Sequence, residues 1–302
     1  MCEAREISLS CTERSLSMLP TNQKTMKQRC SWNRRVQVLF GLILISAPLY
    51  GQQKLKDETK EGWSRYTQVT ERRLERELSN PSPLLVSDFE RLKKGELLIR
   101  QLTKPDSDET IEVKSGTIHH WYGATFVPTI NIDSLFSWVQ EYDRYSERFK
   151  KEIEQSQLRS RTGDTFNIRL GLTKTKLGKT VHYDTEHTVV YRRNGVGRAS
   201  SRSVSTKIIQ LKKYGTPNVQ RLPEGDDEGF LWRLNSYWRF TEREGGVIVE
   251  CESVGLSRSL GSFLSFLDFF SFGKISAIAA DVARESMEQT LTALRDGVHA
   301  VR

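Results

Sequence analysis

The sequence predicts an α+β fold, an antiparallel sheet of six or seven strands curved around a long C-terminal helix. Three observations predict it. The first is the run 229–257. Phe230, Trp232, Leu234, Ser236, Trp238 and Phe240 alternate with Leu231, Arg233, Asn235, Tyr237 and Arg239, so the two sets fall on opposite faces of a strand. A second strand-like run, 247–256, follows the turn at 241–246. Pairing Phe240 with Val247 sets Trp238 against Val249 and Ser236 against Cys251 on an apolar face. The same register sets Tyr237 against Glu250 and Asn235 against Glu252 on a polar face, and a one-residue slip destroys this sorting. The second observation is 276–301, where Ala280, Ala283, Met287, Leu291, Leu294, Val298 and Val301 recur at helical steps without a proline. The third is a series of alternating segments between 117 and 206, with no internal repeat.

Residues 1–25 are polar. Met26 opens a basic segment with Lys27, Arg29, Arg34 and Arg35, and the apolar run 36–50 follows, with small residues near Gly51. That order is the pattern of a secretory signal peptide. Residues 1–51 are therefore expected to be a leader, with Met18 or Met26 as candidate starts. The protein is expected to be exported, periplasmic or secreted, with a retained membrane anchor or a buried helix as the alternatives. Residues 52–115 form a helical extension. Trp63, Tyr66, Val69, Leu74 and Leu78 mark a helix over 55–79 that ends before Pro81 and Pro83. A short helix near 88–94 and a strand at 96–102 follow. The extension is too small for a core of its own and is expected to pack along a sheet edge or over the polar face.

The main domain, 116–302, opens with a strand over 117–127. Asn131 or Asp133 caps a helix whose face is Ile132, Leu135, Phe136, Val139 and Tyr142, continuing as a second short helix through Phe149. A strand over 164–174 places Phe166, Ile168, Leu170 and Leu172 on one face. The next, 181–192, places Val181, Tyr183, Thr185, His187, Val189 and Tyr191 together and His182, Asp184 and Glu186 opposite. Asn194-Gly195 signals a hairpin. A two-residue turn there pairs Arg193 with Val196, which sets Thr185 opposite Val204, Tyr183 opposite Thr206 and His187 opposite Arg202.

Spaced Leu234, Trp238 and Phe240 before a turn, then a strand leading through a loop into the terminal helix, resemble the START-like or SRPBCC helix-grip superfamily. The similarity is nearest to its coenzyme Q-binding and polyketide-cyclase-like branch and covers about residues 116–302. It implies an apolar cavity between sheet and C-terminal helix that binds lipids, isoprenoids or other hydrophobic molecules, with Leu234, Trp238 and Phe240 lining it. Face alternation adds Tyr183, His187, Arg202, Trp232 and Ser236 to that cavity. Some relatives are cyclases or hydrolases, so an enzyme using polar cavity residues is the competing reading. A structural or interaction domain whose cavity has closed is the third.

Candidate chemistry is sparse. His119 and His120 are adjacent in a strand and point to opposite faces, so they read as ordinary strand histidines rather than metal ligands. Asp184 and Glu186 read as a solvated acidic face. His187 with Arg202 would bring charge into an apolar interior, which needs a partner, water or a ligand. Arg233, Arg239, Glu250 and Glu252 read as cross-strand pairs on an exposed or half-covered face. No catalytic residue, metal site or cofactor motif is assigned. Cys251 reads as a buried, inert thiol. The run 261–274 carries Phe263, Phe266, Phe269 and Phe270 before the terminal helix, and is expected to gate the cavity and touch a membrane surface, with ordinary core as the alternative.

Charge argues against nucleic acid. Residues 1–51 hold seven Lys/Arg and three Asp/Glu; taking them from 46 and 38 leaves 39 and 35, or +4 in place of +8. The remainder is evenly mixed, and no basic cluster alternates with aromatics. The expected partner is a hydrophobic small molecule or lipid.

Overall fold

Alternating runs become one antiparallel sheet, and the periodic runs become helices on both of its faces. The computed structural model describes residues 53–79, 86–106, 109–176, 179–259 and 275–301, all within the unit Gly51–Arg302. In chain order these are β1 (Gln53–Lys54), α1 (Asp57–Leu78), α2 (Val86–Lys93), β2 (Leu98–Leu102) and β3 (Gly116–Pro128). Then come α3 (Ile132–Val139), α4 (Tyr145–Arg148), β4 (Ile153–Thr162), β5 (Thr165–Lys176), β6 (Lys179–Arg193) and β7 (Arg198–Lys212). The chain continues through β8 (Gln220–Arg221), β9 (Asp226–Asp227), β10 (Arg233–Arg243), β11 (Gly246–Arg258) and α5 (Ile275–Gly297). The main sheet has nine strands in the order β2-β3-β11-β10-β7-β6-β5-β4, with β8 on β7. β4 is absent from the sequence reading: of its ten residues only Ile153 and Leu158 are large and apolar, so its alternation is nearly silent.

The inner face of the sheet carries the aromatic core. Phe136, Trp138 and Tyr142 descend from α3 and its extension onto Phe166, Tyr191 and Phe240 of the strands, with Leu294 and Val298 at the end of the chain. Phe136 meets Tyr191 and Phe240 edge-on, at ring separations of 5.0 and 5.3 Å. Asn131 caps α3 by accepting from the Ser134 amide at 2.8 Å. α5 crosses β3 closely at Gly123, where a Cβ would stand 2.6 Å from Met287 Cγ and 2.7 Å from Leu291 Cδ1. A long C-terminal helix packed across an antiparallel sheet is the α+β helix-grip arrangement that the sequence predicts.

The outer face is covered by α1 and α2. Trp63, Tyr66, Val69 and Leu74 of α1 pack on Trp232, Tyr237, Val254 and Leu256. Phe89 and Leu92 of α2 pack on Tyr122, Ala124, Phe126 and Ile248. Charged groups lie between these clusters. Arg73 of α1 grips Glu252 with both guanidinium nitrogens, at 2.5 and 3.2 Å, and also donates to Glu77 at 2.8 Å. Glu252 accepts from His120 Nε2 at 2.9 Å, and Tyr66 Oη meets His120 Nδ1 at 3.0 Å. Arg239 bridges Glu77 and Glu250, and Tyr122 donates to Glu250 at 2.9 Å. Glu250 and Glu252 are only 2% and 3% exposed, so the half-covered patch expected from sequence is a buried network.

Two hairpin registers differ from expectation. Between β10 and β11, Phe240 pairs with Val249 rather than Val247, a shift of two that leaves every side chain on its expected face. The turn is Glu244-Gly245, both at positive φ (47° and 77°), as a two-residue hairpin turn requires. Between β6 and β7, Arg193 pairs with Ala199 rather than Val196 and His187 with Ser205 rather than Arg202, a shift of three; a bulge at Glu186/His187 makes it four beyond, where Thr185 meets Ile208 rather than Val204 and Tyr183 meets Gln210 rather than Thr206. The loop there is longer than two residues, with Gly195 and Gly197 at φ 104° and 63°. An odd shift moves a strand's side chains to the other face.

Candidate ligand groove

The register change decides which predicted residues share the inner face. Tyr183, Thr185, His187 and Val189 stand opposite Leu172, Leu170, Ile168 and Phe166 of β5, on the side of the aromatic core. Leu234, Ser236, Trp238 and Phe240 project to the same side from β10. Arg202 does not. It pairs with Tyr237 on the outer face and bonds Glu71 of α1 at 2.8 Å, so its placement beside His187 is corrected by the longer loop. Trp232 is also corrected. The chain bends at Phe230 and Trp232 before β10 begins, which breaks the alternation. Its ring joins the outer cluster under α1, and its Nε1 donates to Asp227 at 3.1 Å. The residues 260–274, with Phe263, Phe266, Phe269 and Phe270, lie outside the described residues.

The inner face is filled at one end and open at the other. Phe240 is buried against Phe136. Trp238, Ser236 and Leu234, further back along the same strand, are only half-buried, although β10 is bonded to β7 on one side and β11 on the other. Ser203 on β7 and Leu172 on β5 are half-buried too. On α5, Met287, Leu291 and Leu294 are buried, whereas the preceding turn from Val282 to Ser286 is half-exposed. Ala283 packs near Trp238, Trp121 and Cys251. Lys174, at the rim of β5, reaches Glu152 and the Ser286 hydroxyl of α5. These half-buried residues, Leu234, Trp238 and Leu172 with the hydroxyl-bearing Ser203 and Ser236, mark a candidate groove between sheet and helix.

His187 is the neutral group of the candidate groove, whereas burial lowers the Lys174 ammonium at the rim only to about 8, so it stays largely cationic at neutral pH. His187 is 5% exposed, and burial lowers its imidazole to about 4. The Thr185 hydroxyl donates to the Leu170 carbonyl at 3.0 Å, so it receives the proton of His187 Nε2, also at 3.0 Å. That leaves Nδ1 of His187 as an acceptor. Ser205 Oγ accepts the Leu234 amide at 3.0 Å, which pins the start of β10 to β7. Sequence reasoning missed Ser203 and Lys174, because neither residue type departs from an ordinary strand. Among the described residues, no group of three or more His, Cys, Asp and Glu converges as metal ligands. Two surface depressions, of about 260 and 290 Å³, lie elsewhere: one at Leu92, Phe126 and His299, the other at Gln155, Gln157 and Arg169.

No family model and no curated protein matches the chain. Solved structures do resemble it. A STAR-related lipid transfer protein from Xanthomonas axonopodis is 14% identical with a TM-score of 0.41, covering 63% of this chain and 97% of that one. Human STARD10 is 10% identical with a TM-score of 0.39, covering 70% and 80%. The Zhui aromatase/cyclase from Streptomyces sp. R1128 is 13% identical with a TM-score of 0.37, covering 62% and 97%. At such identities the likeness is one of chain path, and the fold stands on the strand order and helix placement described above.

Proposed function

We propose that the protein binds a hydrophobic small molecule or lipid in the groove between β10 and α5. One observation carries this reading: Leu234, Ser236 and Trp238 of an interior strand remain half-open on the side that faces the helix. An apolar surface of that kind in the middle of a sheet is favourable only when something covers it. The filled end, from Phe136 to Phe240, limits the ligand to the other half of the grip. His187, neutral and held by Thr185, supplies an acceptor for binding rather than an acid–base pair for catalysis. Export through the leader 1–51, and contact with a membrane surface during ligand uptake, complete the proposal. They rest on the charged-then-apolar order of residues 27–50 and on the aromatic run 261–274.

Native mass spectrometry of the full chain, purified without denaturation, tests the binding. A co-purified apolar mass is expected, and Ser236→Phe, which fills the groove from its floor, should expel it. Ligand-free protein that also gives no tryptophan fluorescence response to lipid extracts overturns the reading.

A further inference from the structure

The loop 194–197 joins β6 to β7, and at its tip Val196 is fully exposed. Asn194 is followed there by Gly195, exposed and at φ 104°, with no side chain to shield its amide. The bonds that hold the loop run from the amides of Asn194, Arg198 and Glu242 to the carbonyls of Arg198, Gly195 and Gly197. None of them uses the Gly195 amide. Asn194 Oδ1 makes no hydrogen bond either, so none holds the carboxamide oxygen away from its neighbour.

The fold also arranges the charge around this pair. Arg192 and Arg193 turn to Glu75 and Asp133 on other elements. Arg198 instead lies across the loop, its Nη2 3.7 Å from where a Cβ would stand on Gly195. Glu242 lies against Gly197, and its Oε1 accepts the Ile132 amide at 2.8 Å. A guanidinium beside Gly195 favours negative charge on that nitrogen and on the oxygen of an adduct at Asn194.

We propose that Asn194 is a self-modification site, converted to aspartate and isoaspartate by its own chain, with Arg198 promoting the step. Hydroxide takes the Gly195 amide proton, and the nitrogen attacks Asn194 Cγ. The new N–C bond forms as the Cγ–Nδ2 bond breaks, and Nδ2 leaves as ammonia with a proton from water. The cyclic imide that remains is opened by water at either carbonyl. One opening leaves aspartate at 194. The other routes the main chain through the side chain and lengthens it. Either product adds a carboxylate to a loop flanked by three arginines, and the longer chain falls where loop length fixes the register of β6 on β7.

Peptide mass mapping of the full chain, warmed at neutral and mildly alkaline pH, tests the site. Asn194 should convert at least about tenfold faster than Asn167 and Asn218, which are followed by the branched Ile168 and Val219. Conversion should rise with pH, as hydroxide does. Arg198→Gln should slow it several-fold and Arg198→Lys should retain it. In urea, where the loop is not held, the native and variant chains should converge. Asn194 converting no faster than Asn218 in the folded chain overturns the site. A native rate in Arg198→Gln, or a gap between the two chains that persists in urea, overturns the part given to the guanidinium.

Discussion

The two faces of the sheet are covered by helices in opposite chemical styles. On the inner face, aromatic rings from α3 and α4 fill one half of the grip, and the other half is left half-open below α5. On the outer face, α1 lies over a chain of buried and half-buried polar groups running from His120 and Glu252 through Arg73 and Glu77 to Arg239 and Glu250. Apolar packing is non-directional and tolerates an unfilled half. A buried charge network is directional: every member must be paired at once, so it admits one placement of α1. The face proposed to accept a ligand is the tolerant one, and the face that holds the extension helix is the exacting one.

The largest expected effect is on the outer face. Glu252→Ala leaves Arg73 and His120 without their carboxylate and should cost about 3–5 kcal/mol, measured by urea unfolding. A loss below about 1 kcal/mol would mean that the network behaves like a surface patch and that the contrast between faces is false. The same carboxylate sets an acid limit. Burial alone would raise it, but hydrogen bonds from His120 and Arg73, and their charge, outweigh burial and hold it at about 2 rather than the ordinary 4.5. A depressed carboxyl contributes stability that is fully present above its unfolded value and lost as pH falls through its folded one. Stability should therefore drop by roughly 3 kcal/mol between pH 4.5 and about 2 on its account, and Glu252→Gln should flatten that limb of the pH profile.

The inner face should respond more softly. Gly123→Ala forces Met287 and Leu291 to shift and should cost about 1–3 kcal/mol while moving α5 relative to β3. Thermal unfolding with and without a lipid extract measures both consequences. Trp238→Ala should cost about 1–2 kcal/mol, below the range for a fully buried tryptophan, because the ring is half-open. It should also change ligand binding; a full core penalty with binding unchanged would close the groove. The smallest effect belongs to Arg202→Ala, whose side chain is 48% exposed beside Glu71. It should cost at most about 1 kcal/mol and leave ligand binding untouched, in contrast to His187→Ala on the inner face.

Much of this was legible in the chain. The helix over 276–301, the Asn131 cap, and the inner-face set Phe166, Ile168, Leu170, Trp238 and Phe240 follow from period and turn chemistry alone. Asp227 was not legible, because Glu224-Gly225-Asp226-Asp227-Glu228 reads as a solvated loop until β1 and Gln210 are seen to bury it. Nor was burial of Glu250 and Glu252, which depends on a helix more than a hundred residues away in sequence, joined by Arg73.

The two hairpins show where the division falls. Local sequence determined the strands and, at the β10–β11 hairpin, the faces as well. The error there was two residues, and a period of two is blind to an even shift. At the β6–β7 hairpin the error was three, and Arg202 crossed to the other side of the sheet. Asn194-Gly195 favours a tight turn locally, but the longer loop is closed by a bond of its own and held by one from the neighbouring strand. The Asn194 amide donates to the Arg198 carbonyl at 2.9 Å, and the Glu242 amide of β10 donates to the Gly197 carbonyl at 2.8 Å. Alternation is written residue by residue and survives in any register, whereas register is chosen by whichever loop length lets the neighbouring strand bond as well.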